Sequence, residues 1–170
     1  MNALNVSEMS KTYRVKKLTV ADVNEIFALC EKNPLYYKYC PPFVTKSGIE
    51  EDMRALPPGK NERDKYYVGF FDDSGLIAIA DVIAAYPNAQ TAFIGFFMTA
   101  ARVQNKGVGS AIVNELCEFF KGNGFDSVRL GYVEDNPQAR AFWLKNGFVP
   151  TGEVFDKTDY AIAAAVRRLR

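Results

Sequence analysis

Gln104-Asn105-Lys106-Gly107-Val108-Gly109-Ser110 is the stretch on which the fold turns. Thr91 to Thr99 ahead of it is a strand-like run, and behind it Ile112, Val113, Leu116, Cys117 and Phe120 recur at helical spacing, with Gly122 or Gly124 as the stop. The segment therefore joins a strand to a helix N-terminus. Free backbone N–H groups and the positive helix end point into such a turn, and glycines let a phosphate come close to the backbone. Taken alone, a tight turn with glycines for steric reasons is the ordinary alternative. A dinucleotide fingerprint fails because Ile112 stands where its third glycine belongs, and a P-loop fails for want of GK[ST].

Upstream, residues 1–11 read as a flexible leader, and residues 12–170 as one domain. Tyr13, Val15 and Leu18 alternate with basic residues as a first strand. Thr19 and Asp22 resemble a capping box for a helix whose apolar stripe is Val23, Ile26, Phe27 and Cys30, which places Cys30 in the core. Asn33 to Phe43, with three prolines and Tyr36, Tyr37 and Tyr39, reads as a broken helix or loop. Ser47 and Glu50 cap a further short helix that Pro57-Pro58-Gly59 ends. Tyr66–Phe71, Leu76–Ala85 and Thr91–Thr99 form a meander, its first turn Asp72-Asp73-Ser74-Gly75. After the central helix come a strand at Val128–Tyr132, a helix capped by Asn136 with Pro137 at its first position and ended by Asn146-Gly147, and two last strands, Phe148–Phe155 and Tyr160–Leu169. The expected fold is α+β: a mixed, mostly antiparallel central sheet flanked by helices.

The 170 residues carry 21 Lys+Arg, 20 Asp+Glu and no histidine, for a net charge of +1. That absence excludes Ser-His-Asp and Cys-His nucleophile pairs, HExxH zinc sites and a histidine base. Near-zero charge leaves no global pull towards nucleic acid or an anionic membrane. Three cysteines without a CxxC fit neither a disulfide framework nor a zinc cluster, so no metal is expected and a reducing cytoplasm is the simple compartment. No apolar run approaches the roughly 18–20 residues that span a bilayer.

A second segment, Asn136-Pro137-Gln138-Ala139-Arg140-Ala141-Phe142-Trp143-Leu144-Lys145-Asn146-Gly147-Phe148, gives the loop its meaning. QxxGxG followed by N-x-x-A-x-x-F-W-x-K-x-G-F resembles motifs A and B of the GNAT acetyltransferase superfamily, and the strands before and after resemble the rest of that acyl-CoA N-acyltransferase fold. The resemblance implies acetyl-CoA as co-substrate. Backbone amides of Gln104, Asn105, Lys106, Gly107, Val108, Gly109 and Ser110 would cradle its pyrophosphate. Phe97, Met98 and Thr99 would bond the pantetheine arm as an added strand, and the amide of Met98 or Thr99 would hold the oxyanion, a donor commonly worth about 3 kcal/mol. Asn136, Ala139, Phe142 and Trp143 would line the thiol end, although for Phe142 a core position is the better reading.

The sequence departs from the family at both proton-transfer positions. Trp143 stands where many members have a tyrosine acid, and Phe93 where many have a glutamate base. An indole is no usable acid. Asp81, the one charge in Leu76–Ala85, and Tyr132 are the substitutes singled out as catalytic; a solvent-facing edge position and a core tyrosine are their ordinary alternatives. Glu134 reads as a solvated loop charge. Positioning plus the oxyanion amide, with the proton lost to bulk water, is the remaining route. The expected activity is acetyl transfer from acetyl-CoA to a primary amine, on a small molecule or peptide, by direct attack. A non-catalytic acyl-CoA-binding or regulatory module is the alternative. Candidate acceptor walls are Tyr36, Tyr37, Tyr39 and Phe43, with Glu50, Glu51 and Asp52 nearby, and the oligomeric state stays open between monomer and homodimer.

Overall fold

The computed structural model describes residues 3–170. Its sheet runs through β1 (Arg14–Lys17), β2 (Lys65–Asp72), β3 (Gly75–Ile83), β4 (Thr91–Thr99), β5 (Ser127–Val133), β6 (Val149–Asp156) and β7 (Ala161–Arg168), in the spatial order β1-β2-β3-β4-β5-β7-β6. β4 and β5 are parallel, while every other neighbouring pair is antiparallel. This is the mixed α+β sheet expected. The helices are α1 (Val23–Cys30), α2 (Pro34–Tyr39), α3 (Lys46–Arg54), α4 (Val108–Gly122) and α5 (Pro137–Lys145).

Two residues of β4 show how the layers divide. Phe96 packs edge-on against Tyr36 of α2, whereas its neighbour Phe97 stacks on Phe142 of α5. Alternation along a strand sends neighbours to opposite faces, so α2 lies on one side of the sheet and α5 on the other. The central strands are buried on both faces, with Val68, Phe70, Ala78, Ile79, Ala80 and Val82 all at or near zero exposure, and read accordingly as continuous apolar runs. Cys30 is in the core, as its helical spacing suggested.

Two sequence expectations are corrected. The first residues are not a flexible leader where they are described: Leu4 and Met9 are buried, the Leu4 amide donates to the Tyr66 hydroxyl at 3.0 Å, and Ser10 and Thr12 bond Glu115 of α4. Their polar composition hid two apolar anchors. Met1 and Asn2 lie outside the described residues. The cap of α3 is Thr45, whose hydroxyl accepts from the Gly48 amide at 3.0 Å, and not Ser47. By contrast, Thr19 and Asp22 do make a reciprocal capping box, around the single 3₁₀ turn Val20–Asp22 that leads into α1, which itself has no side-chain cap.

Candidate active site

The cleft starts where β4 and β5 part. Their ladder pairs Thr91 with Ser127 and ends at Ile94 with Leu130, yet β4 continues to Thr99 and β5 to Val133. On its other edge β4 stays bonded to β3, but the register slips so that Asp81 faces Phe96 while Val82 faces Ile94. Gly95 is the extra residue of this β-bulge, and such a bulge bends its strand. The splay has a physical cause in one inserted residue.

Backbone bonding decides which β4 groups face the gap. The Ala100 amide donates to the Ile77 carbonyl at 2.8 Å. Because an antiparallel strand alternates the direction of its N–H and C=O groups, Met98 and Phe96 then bond β3, while Thr99 and Phe97 turn towards the opening. The Thr99 carbonyl accepts from Asn33 Nδ2 at 3.2 Å and Gln104 Nε2 at 3.1 Å, both away from β3. Of the two oxyanion donors named from the sequence, the Met98 amide is engaged in the sheet and the Thr99 amide faces the cleft. Phe97, named there only for the pantetheine arm, offers a second N–H.

The loop itself has the form of an anion cradle. Asn105 and Gly107 both adopt left-handed backbone, with φ of 58° and 79°. The first intrahelical bond of α4 runs from the Ala111 amide to the Gly107 carbonyl at 3.0 Å, so the amides of Val108, Gly109 and Ser110 have no partner within the helix. No side chain caps this end and no acid sits in its first turn. Gly109 packs closely: a Cβ there would lie 3.2 Å from the Phe142 ring and 3.4 Å from the Thr99 methyl, so the ring would have to give by a few tenths of an ångström. Lys106 turns back to donate to the Arg102 carbonyl at 2.9 Å. These free amides and the open backbone fit a pyrophosphate.

At the other wall, Asn136 caps α5 by accepting from the Ala139 amide at 3.1 Å, and Ala139 is half-buried. Trp143 is buried against Phe97, Phe142 and Phe148, with ring centroids 5.9, 4.9 and 5.2 Å away. Phe142 is only half-buried and abuts the α4 start. The core-facing aromatic of the pair is thus Trp143.

Asp81 and Tyr132 lie on opposite faces of the sheet. Lys65, Tyr67, Asp81 and Phe96 share the side of α2; Ile94, Leu130 and Tyr132 share the side of α5. Asp81 is neither solvent-facing nor at an edge. Its Oδ2 accepts from Lys65 Nζ at 2.8 Å, its Oδ1 is buried without a protein partner, and burial pushes its carboxyl above the usual range against the pull of Lys65. A Cβ on Gly95 would sit 3.3 Å from Asp81 Oδ2 and 3.8 Å from the Phe93 ring. The carboxylate and the Phe93 ring thus both border the space over Gly95. Tyr132 is buried in β5, the next residue on its face beyond the last rung of the β4–β5 ladder. Glu134 is exposed. Lys65 and Gly95 were missed in the sequence; a lysine opening a strand of aromatic and apolar residues was the signal available.

The cleft, the cradle and the splayed strands define an acyl-CoA-dependent transferase of the N-acyltransferase fold. A profile of the acetyltransferase (GNAT) family matches residues 28–148, and the chain belongs to that family, whose members move an acetyl group from acetyl-CoA to an amine. Membership speaks for the enzyme over the non-catalytic module. Among curated proteins none matches the sequence. Among solved structures, an acetyltransferase from Thermus thermophilus shares 18% identity over 92% of this chain and 96% of its own, with a TM-score of 0.72. Spermidine N-acetyltransferase from Vibrio cholerae, in complex with CoA and spermine, shares 15% over 94% and 97%, with a TM-score of 0.69. The ribosomal-protein-S18-alanine N-acetyltransferase from Escherichia coli shares 12% over 92% and 94%, with a TM-score of 0.67. No helix among the described residues is long and apolar enough to cross a membrane.

Proposed function

We propose that the protein acetylates a primary amine by direct attack, with Asp81 as general base and Tyr132 as the hydroxyl nearest the leaving thiol. The observation that carries this reading is the Asp81 carboxylate beside the Gly95 bulge, next to the Phe93 ring. A base supplied by β3 at this bulge would stand in for one on β4, where Phe93 has none. When bound, acetyl-CoA supplies an acetyl group activated as a thioester. The amides of residues 105–110 would hold the pyrophosphate, the Gln104 amide being engaged with the Ala101 carbonyl at 3.3 Å, and those of Phe97 and Thr99 would serve the pantetheine arm and the thioester oxygen. Asn136, Ala139 and Phe142 border the thiol end, with Trp143 packed behind them. Asp81 takes the ammonium proton, and its raised affinity brings it nearer to the amine it must deprotonate.

The acceptor enters from the α1–α3 side. Tyr36, Tyr37 and Phe43 form a ladder of edge-on rings leading to Phe96, and Asp52 adds negative charge near Lys65. Aromatic faces and a carboxylate suit a cation. An amine carried on a polyamine or on a peptide N-terminus meets that description, as the named substrates of two neighbouring folds do. Free thiol release from acetyl-CoA with spermidine and with an alanine-terminated peptide tests the activity; no turnover on any amine, with cofactor tightly bound, would return the module.

The edge strand β6 is exposed along its whole length, including Val149, Val154 and Phe155, which supports a homodimer built on that edge. Three free cysteines support a reducing, cytoplasmic setting, and a near-neutral charge favours no nucleic acid or membrane partner.

A further inference from the structure

We infer that Lys65 is a positioning residue for the reaction: it fixes the rotation of the Asp81 carboxylate and sets the pH at which Asp81 takes its proton. The inference rests on Asp81 being the base. Lys65 is the first residue of β2 and is 5% exposed, unusual burial for an ammonium. Its Nζ is held from two sides, donating to Asp81 Oδ2 at 2.8 Å and to the Ala55 carbonyl just past α3 at 2.8 Å. Two fixed bonds leave the ammonium no freedom to swing.

The consequence falls on the carboxylate. Oδ2, the oxygen beside the Gly95 bulge, is tied to Lys65, while Oδ1 is buried without a protein donor, so Lys65 holds the oxygen that faces the bulge and competes with a proton for its lone pairs. The groups facing Asp81 come from every element around it. Lys65 and Tyr67 project from β2, Phe96 faces it across β4, and Asp52 approaches from α3. Beyond Tyr67 sit Cys30 of α1 and Tyr37 of α2. Lys65 is the one cation in this set. Burial and Asp52 push the Asp81 carboxyl up and Lys65 pulls it down, so this one side chain limits how far the base is raised.

A purely structural pair is a weak explanation for this placement. Burying an ion pair in a sheet face gives little stability compared with packed apolar side chains of similar volume. This pair also stands at the bulge that opens the cleft rather than in the closed part of the sheet.

The test reads the Asp81 proton directly. Carboxyl ¹³C NMR of aspartate-labelled protein, with the resonance assigned by its loss in Asp81→Asn, gives a titration midpoint in the wild type and in Lys65→Met. Removing an opposite charge at this distance should raise the midpoint by about one to three on the pH scale. The acidic limb of kcat/KM for acetyl transfer to spermidine or the alanine-terminated peptide, whichever turns over, should rise with it while KM for acetyl-CoA stays put. Lys65→Gln carries the same expectation should Lys65→Met fail to fold, and Lys65→Arg should restore the limb. A midpoint that stays where it was in either neutral variant overturns the inference. A limb that stays put while Asp81→Asn abolishes transfer also overturns it and leaves the base standing. Full transfer by Asp81→Asn removes the base itself, and the role of Lys65 with it.

Discussion

The two sides of the cleft are made of different materials. On the α4 and α5 side the groups proposed to meet the cofactor are backbone amides from one short loop and one strand end, held by apolar packing of Phe97, Phe142 and Trp143. On the α1–α3 side the polar groups are side chains from two strands and a helix, Lys65, Asp81 and Asp52, set beside the Gly95 bulge. Amides carry no net charge to neutralise, so the first side needs only shape. The second buries charge and must compensate it, which makes it tunable by single residues. In the proposed reaction, binding the common co-substrate and selecting and deprotonating the acceptor would thus be separable.

The largest effects should divide cleanly between the sides. Gly109→Tyr pushes a ring into the space shared by Phe142 and the Thr99 methyl and should weaken acetyl-CoA binding by about a hundredfold, close to 3 kcal/mol, in a protein that still folds. Isothermal titration with CoA checks this; unchanged affinity would defeat the cradle. Asp81→Asn should lower kcat/KM for the acceptor by about 10² to 10⁴ with CoA affinity intact. If both quantities fall together in either variant, the division between the sides is wrong.

The same difference explains what was legible in the sequence. A strand, a glycine loop and a helix in succession form a contiguous pattern, so the turn at Gln104 to Ser110 and the capped helix from Asn136 could be read directly. Asp81 could be noticed as a lone charge in an apolar strand, but its partner Lys65 is brought opposite by the β2–β3 register, and no local pattern reports that. The Gly95 bulge was equally hidden, because Phe93 to Met98 reads as one uninterrupted strand and only the pairing with β3 shows the slip. Met98 was misjudged for the same reason: which amides face outward depends on the partner's bonding phase. The leader was misread because Leu4 and Met9 are isolated apolar residues in a polar stretch.

Two intermediate effects probe where the sides touch. Gly95→Val places a side chain against Asp81 Oδ2 at the bulge and should cut acceptor kcat/KM about tenfold, near 1.4 kcal/mol, while CoA affinity holds. A matching loss of CoA affinity would mean the bulge belongs to the cofactor side instead. Asn33 links the halves, bonding the Leu29 carbonyl at 3.1 Å, the Thr99 carbonyl at 3.2 Å and Gln104 Nε2 at 2.6 Å. Asn33→Ala should cost about 1 kcal/mol in urea unfolding and raise KM for both substrates modestly. A change in only one KM would show that the bridge serves one side alone.

The smallest effect concerns stability against pH. Burial raises the Asp81 carboxyl above its unfolded value, so the folded state binds this proton more tightly. Its contribution is fully present below the unfolded value of about 3.9 and is lost as pH rises through the folded value. Asp64 and Asp72 run the other way. The Asn61 amide, with Lys60, lowers the first and the Arg102 guanidinium lowers the second, so their contributions are present above that unfolded value and vanish only in stronger acid. Above the unfolded value Asp81 and Asp52 therefore both push stability down as pH rises. Urea midpoints measured between about pH 4 and neutrality should fall with rising pH in the wild type and fall less in Asp81→Asn, whereas Asp72→Asn should leave the slope alone. Equal slopes in the wild type and Asp81→Asn would mean that Lys65 fully offsets the burial of Asp81, and the acceptor side would then carry no stored electrostatic cost for catalysis to use.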